Sequence, residues 1–190
     1  SVGGNEDAGS VMLVNGATGA LIKTLVGDQE DDYLGNGGVT ALGNNNFVIA
    51  SQDDIVDGKA KAGSVMLVSG ATGALIATHE GDQEDDHLGF SGVTALGNNH
   101  FVIASRLDDD SVGGKSNAGS VMLVNGATGA LINTLVGDQA DDYLGSSGVT
   151  ALGNNNFVIA SRLDDDSVGG NKDAGSVMLV NGTTGALIKT

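Results

Sequence analysis

The sequence predicts an all-β chain of tandem four-stranded antiparallel blades, and three observations predict it. The first is repetition. AGSVML begins at Ala8, Ala62, Ala118 and Ala174, GDQ at Gly27, Gly81 and Gly137, and FVIAS at Phe47, Phe101 and Phe157. The AGSVML spacings of 54, 56 and 56 define a unit of about 56 residues, and such self-similarity marks a repeat architecture. The two-residue variation falls between Gln52 and Lys61, in a loop, where length changes cost least. The second observation is composition: 32 glycines with no proline or cysteine, and 40% apolar residues of which very few are aromatic. That supply of Val, Leu, Ile and Ala suffices to bury a core and excludes compositional disorder. The third is the recurrence, within every unit, of short β-branched runs punctuated by glycine and asparagine.

Taken in order, strand one of the unit is Gly38-Val39-Thr40-Ala41-Leu42, and Gly43-Asn44-Asn45-Asn46 turns the chain into strand two, Phe47-Val48-Ile49-Ala50-Ser51. An acidic loop leads to strand three, Ser64-Val65-Met66-Leu67-Val68. The turn Ser69-Gly70-Ala71-Thr72-Gly73 leads to strand four, Ala74-Leu75-Ile76-Ala77-Thr78. Both turns are rich in residues that tolerate positive φ and read as tight hairpins. Alternate side chains of a strand point to opposite faces, yet Val65-Met66-Leu67-Val68 and Phe101-Val102-Ile103-Ala104 are apolar on both. Sheets of this kind need neighbours above and below. Stacked blades supply them, so a β-propeller-like architecture is expected, with a β-solenoid or an open stacked-sheet array as the alternatives. The boundaries are a half repeat at 1–26, holding strands three and four, and repeats at 27–80, 81–136 and 137–190. Fourteen strands are too few to close a ring of blades.

The order of these segments resembles the FG-GAP repeats of bacterial, integrin-alpha-type β-propellers, and the likeness covers essentially the whole chain. It is carried by the unit opening Gly137-Asp138-Gln139-Ala140-Asp141-Asp142-Tyr143-Leu144-Gly145 and by the hairpin from Ala118 to Leu131, which contains Asn125-Gly126-Ala127-Thr128-Gly129. Leu34, Leu88 and Leu144 stand where that family usually has Phe, and Ala-Ser stands where it has GAP. Its cation loop between strands one and two is replaced here by GNNN or GNNH, so that calcium site does not carry over. The resemblance implies propeller blades and an extracellular or cell-surface repeat protein of bacterial type.

A formal charge of −16 excludes nucleic acid as a partner, because no basic surface is present to displace counterions from phosphates. It equally disfavours anionic lipid surfaces, and no apolar run approaches a membrane span, so no membrane insertion is expected. The acidic residues concentrate in two recurring loops. The first holds Asp28, Asp31 and Asp32, then Asp82, Asp85 and Asp86, then Asp138, Asp141 and Asp142. The second holds Asp108, Asp109 and Asp110, then Asp164, Asp165 and Asp166, with Asp53, Asp54 and Asp57 as its variant in the first repeat. Calcium takes six to eight oxygens, and flexible glycine-flanked carboxylate loops can provide them, which makes these aspartates candidate Ca2+ ligands. Hydrogen-bonding of their own turns and protection of sheet edges account for the same residues without an ion.

No catalytic residues are expected. There is no GxSxG elbow and no cysteine nucleophile, and every carboxylate pair is copied almost unchanged from unit to unit. His79, His87 and His100 occur in one unit only and are not spaced as a zinc site. The chain opens at Ser1 inside a loop whose longer form spans 108–114, as a processed product or a segment of a longer repeat protein would. A terminal half unit leaves an apolar face uncovered, so self-association into a homo-oligomer or polymer through the half-repeat ends is expected.

Overall fold

A computed structural model of the chain describes residues 4–109, 113–165 and 170–190. Among these residues there are fourteen strands and no helix, so no helix is long and apolar enough to cross a membrane. A two-stranded hairpin comes first, β1 (Ser10–Val14) and β2 (Leu21–Val26). Three four-stranded antiparallel meanders follow. The first is β3 (Gly38–Ala41), β4 (Asn46–Ser51), β5 (Ser64–Ser69) and β6 (Leu75–Glu80). The second is β7 (Val93–Ala95), β8 (His100–Ser105), β9 (Ser120–Asn125) and β10 (Leu131–Val136). The third is β11 (Val149–Ala151), β12 (Phe157–Ser161), β13 (Ser176–Val180) and β14 (Leu187–Lys189). Each strand lies within two residues of its expected limits, because turn chemistry and β-branching are local signals.

The double-sided apolar pattern has the expected consequence. Val48, Ala50, Val65 and Leu67 project from one face of the first full blade and pack on Phe101, Ile103 and Val124 of the second. The second blade turns Val102, Ala104, Val121 and Leu123 toward Phe157, Ile159 and Val180 of the third. Phe47, Ile49, Val68 and Met66 of the first blade take Val11, Leu13 and Leu25 of the half blade. Odd and even positions of β4 and β8 thus serve different junctions. Alternation along a strand has become alternation between neighbouring blades.

Polar staples cross the same junctions. On the inner strands, Thr40 Oγ1 donates to the Val93 carbonyl at 3.3 Å and Thr94 Oγ1 to that of Val149 at 3.2 Å. The GNNN turn of one blade reaches the NG turn of the next: Asn44 Nδ2 and Asn46 Nδ2 each donate to Gly126 O at 2.9 Å, and Asn98 Nδ2 to Gly182 O at 2.9 Å. At the outer rim, a Cβ at Gly129 would collide with Ala77, and its φ of +74° is itself left-handed. Glycine is therefore needed there both for the turn and for the approach of the next blade.

The linker after each blade crosses the start of that blade's third strand. Gly81 N donates to Gly63 O at 2.9 Å and Leu88 N to Ala62 O at 2.9 Å, with the equivalent Leu144 N to Ala118 O at 2.9 Å. At Gly63 (φ +79°) a side chain would strike the Leu88 backbone, which explains the glycine of AGS. Gly89 N then donates to Ser105 Oγ at 2.8 Å and Gly145 N to Ser161 Oγ at 2.9 Å, so the serine of FVIAS anchors the LG end of the linker. This crossing brings the acidic linker against the next blade.

A candidate metal centre at each blade junction

Within the linker, the exposed aspartate of GDQ and the buried second aspartate of the following Asp-Asp pair approach the acidic loop of the next blade. Asp82, Asp86 and Asp108 each present an oxygen within 4.8 Å of the other two, and Asp138, Asp142 and Asp164 do the same in the next unit. The first unit assembles the corresponding group less tightly. There Asp32 lies within hydrogen-bonding reach of the Asp54 carboxyl, and the Asp28 charge also acts on it. The acidic linker and the acidic β4–β5 or β8–β9 loop are thus two halves of one cluster.

Local hydrogen bonds hold the halves in place. Gln83 N donates to Asp86 Oδ2 at 2.7 Å, and the Gln83 side-chain amide donates to Asp109 O at 3.1 Å. Gln29 and Gln139 repeat both bonds, to Asp32 Oδ2 and Ile55 O and to Asp142 Oδ2 and Asp165 O. Asp109 N donates to Asp86 Oδ1 at 3.3 Å, as Asp165 N does to Asp142 Oδ1. The glutamine of GDQ is the tie between linker and loop.

Other aspartates of the two loops do different work. Asp31, Asp85 and Asp141 are exposed, with φ of 65°, 63° and 63°, and form the left-handed corner of the linker. Asp31 accepts from Tyr33 Oη and Asp141 from Asn117 Nδ2. The carboxylates of Asp109 and Asp165 accept from Asn117 N at 2.6 Å and Asp173 N at 2.7 Å and close their own loops. Asp110 and Asp166 lie outside the described residues. Asp54 joins the cluster with a loop two residues shorter than its counterparts. Its signal in the sequence is its offset of 22 residues from Asp32, which Asp86 to Asp108 and Asp142 to Asp164 repeat.

Electrostatics reflects the crowding of like charges. Burial pushes the Asp108 carboxyl up to about 7; the Ser120 hydroxyl opposes the shift, and Asp86, Asp82 and Asp109 add to it. Burial likewise raises Asp54 to about 6, against the Ser64 hydroxyl and with Asp32 and Asp28. Asp86 and Asp142 are also held above the usual range, chiefly by burial, with the backbone amides around them opposing. A carboxyl whose folded pKa exceeds the unfolded one binds more protons in the native state. Its stabilising effect is complete below the ordinary value of 3.8 and is lost as pH rises through about 6 for Asp54 and about 7 for Asp108. In chelator, the melting temperature is therefore expected to fall between about pH 4 and about pH 7, and Asp108→Asn should flatten that fall. Equal slopes for parent and variant would refute this assignment.

The three histidines do not converge. His79 Nε2 donates to Gly129 O at 3.0 Å, and burial lowers its pKa. His100 Nδ1 lies 2.9 Å from Gly182 O, in the place of the asparagine staple. His87 Nδ1 sits 3.1 Å from Asp53 Oδ1, edge-on to Phe90, whose ring carries the Arg106 guanidinium 4.5 Å from its centroid. Two of the three thus bridge consecutive blades, a role that their irregular occurrence in the sequence does not reveal.

Stacked meanders with linkers crossing between them define a β-propeller-like repeat protein whose sheets do not close into a ring. The chain belongs to the DUF5650 family, described as a repeat of unknown function, whose profile matches residues 41–80, 95–146 and 151–187. No curated protein matches the chain. Among solved structures it is similar to BamB from Moraxella catarrhalis, with a TM-score of 0.57, 14% identity, and coverage of 97% of this chain and 44% of that one. It is also similar to the computationally designed Ika8 protein, with a TM-score of 0.53, 20% identity, and coverage of 96% and 43%. The chain spans less than half the length of either, and these likenesses concern the fold.

Proposed function

We propose that the chain is a non-catalytic structural scaffold of the bacterial cell exterior, adhesive in character and stabilised by calcium, which associates with further copies of itself. The observation that carries this reading is the sameness of the junctions: each pairs one blade's Val/Ala/Val/Leu face with the next blade's Phe/Ile/Val face. Interchangeable junctions suit linear assembly. The outward face of the third blade exposes Val177 at 61%, and the outward face of the half blade exposes Met12 at 66%. Each is one partner of a junction already made twice within the chain, so a second copy is the occupant that fits both. The FG-GAP resemblance of the unit supports the extracellular placement, and the carboxylate triads support calcium.

Size-exclusion chromatography with light scattering tests the association. Concentration-dependent oligomers at micromolar protein are expected, and Val177→Asp or Met12→Asp should dissolve them. A parent chain that remains a folded monomer would sink the idea. A ligand-binding module is the second reading, favoured by one departure from repetition, the His87, Phe90 and Arg106 cluster of the second repeat.

A further inference from the structure

We infer that every repeat builds its own calcium site from three carboxylates and one serine hydroxyl, and that this ion clamps the inter-blade linker to the blade that follows it. The ligand sets are Asp28, Asp32, Asp54 and Ser64; Asp82, Asp86, Asp108 and Ser120; and Asp138, Asp142, Asp164 and Ser176. The inference deepens the calcium part of the scaffold reading and rests on that reading only for the biological use of the clamp.

Clustered carboxylates alone would not identify a site, since acidic loops are common on protein surfaces. The second observation is a set of buried oxygen atoms with no hydrogen-bond partner, aimed into the clusters. Asp32 is 2% exposed, and while its Oδ2 accepts from Gln29 N, its Oδ1 has no partner. In the other two units a backbone amide donates to the equivalent oxygen at 3.3 Å. Ser64 and Ser120 are each 1% exposed, and their hydroxyls, like that of Ser176, make no hydrogen bond of good geometry. Ser64 lies with its hydroxyl toward the Asp54 carboxylate, and Ser120 toward that of Asp108. Buried polar atoms are nearly always partnered. The same serine oxygen is buried without a hydrogen bond of good geometry in three units, and in the two where the residue is 1% exposed it lies against a cluster carboxylate, so it is available as a ligand.

The donor set states which species it would bind. All four ligands are oxygens, three of them anionic, with no imidazole or thiolate, which selects a hard cation over zinc or copper. Among hard cations, calcium accepts an irregular set of carboxylate and hydroxyl oxygens at about 2.3–2.6 Å, whereas magnesium demands near-ideal octahedral geometry at about 2.0–2.1 Å. In the second and third units the three carboxylates lie close enough to share one ion. Two ligands come from the linker, which is bonded to the preceding blade through Gly63, Ala62 and their equivalents. The other two come from the loop and third strand of the following blade. The ion therefore closes the junction at its acidic rim, where like charges would otherwise repel.

Titration of the chelator-treated full chain with calcium chloride, followed calorimetrically, tests the assignment. Three ions per chain are expected. Asp54→Asn, Asp108→Asn and Asp164→Asn should each weaken one site at least ~10-fold, as loss of a direct ligand exceeds the usual effect of losing an outer-shell partner. Ser120→Ala should weaken the second site alone. Asp31→Asn, Asp85→Asn and Asp141→Asn together should leave all three sites intact, and circular dichroism identifies any variant that fails to fold. Absence of calcium uptake by the parent, or uptake untouched by the three single Asp→Asn variants, overturns the inference. A chain that oligomerises without binding calcium overturns the sites and spares the self-association; a monomer that binds three ions does the reverse.

Discussion

Phe101→Ala is expected to lower the unfolding free energy by about 3–5 kcal/mol, the usual result of truncating a fully buried phenylalanine. Phe101 is wholly inaccessible and sits in the junction between β3–β6 and β7–β10, against Leu42, Val48, Ala50, Val65 and Leu67. The side chain belongs to the second blade but fills the space of the first, so its removal opens a cavity that neither sheet closes alone. For a chain of this length the loss corresponds to a fall in Tm of roughly 10 °C. Because the stability of a repeat array is a sum of unit and junction contributions, the variant should also unfold less cooperatively, with the two sides of the weakened junction melting apart. Met12→Ala, at an open end, should change stability by less than about 0.5 kcal/mol. Differential scanning calorimetry of the two variants decides the matter: comparable losses would mean that the central junction does not carry the core.

Calcium is expected to raise the melting temperature by an amount that few single contacts match. At free calcium 100-fold above the dissociation constant, each native-state site adds about 2.7 kcal/mol, so three independent sites add about 8 kcal/mol. The corresponding rise in Tm is roughly 15–30 °C. The rise should shrink by about a third in Asp108→Asn, and magnesium at equal concentration should give less of it. The measurement is a thermal scan at pH 8, with chelator and then with excess calcium. A shift of less than a few degrees would leave the triads as carboxylates that merely crowd one another.

Different parts of the protein were legible in the sequence to different degrees, and the reason is the range over which each interaction acts. The four strands of the unit and their turns follow from residues that touch within a few positions. Gly38-Val39-Thr40-Ala41 and Phe47-Val48-Ile49-Ala50-Ser51 pair as expected across the GNNN turn. The two acidic loops were legible as acidic but not as one site. Nothing in their spacing separates Asp86, which turns inward, from its neighbour Asp85, which forms the exposed corner with φ 63°. The serine of AGS reads as an ordinary first residue of a strand, and only burial beside Asp108 or Asp54 makes it a candidate ligand. The asparagines of GNNN were seen as turn formers, whereas Asn44 also holds a carbonyl 82 residues away.

The sequence by itself determined the period, the four-stranded unit and the need to stack, because an apolar residue at every position of a strand demands a neighbour on each face. Tertiary structure decided which carboxylates meet. That outcome depends on the linker crossing the glycine of AGS and delivering Asp82 and Asp86 to the next blade's Asp108, an arrangement set by packing between blades and by no signal within any one of them.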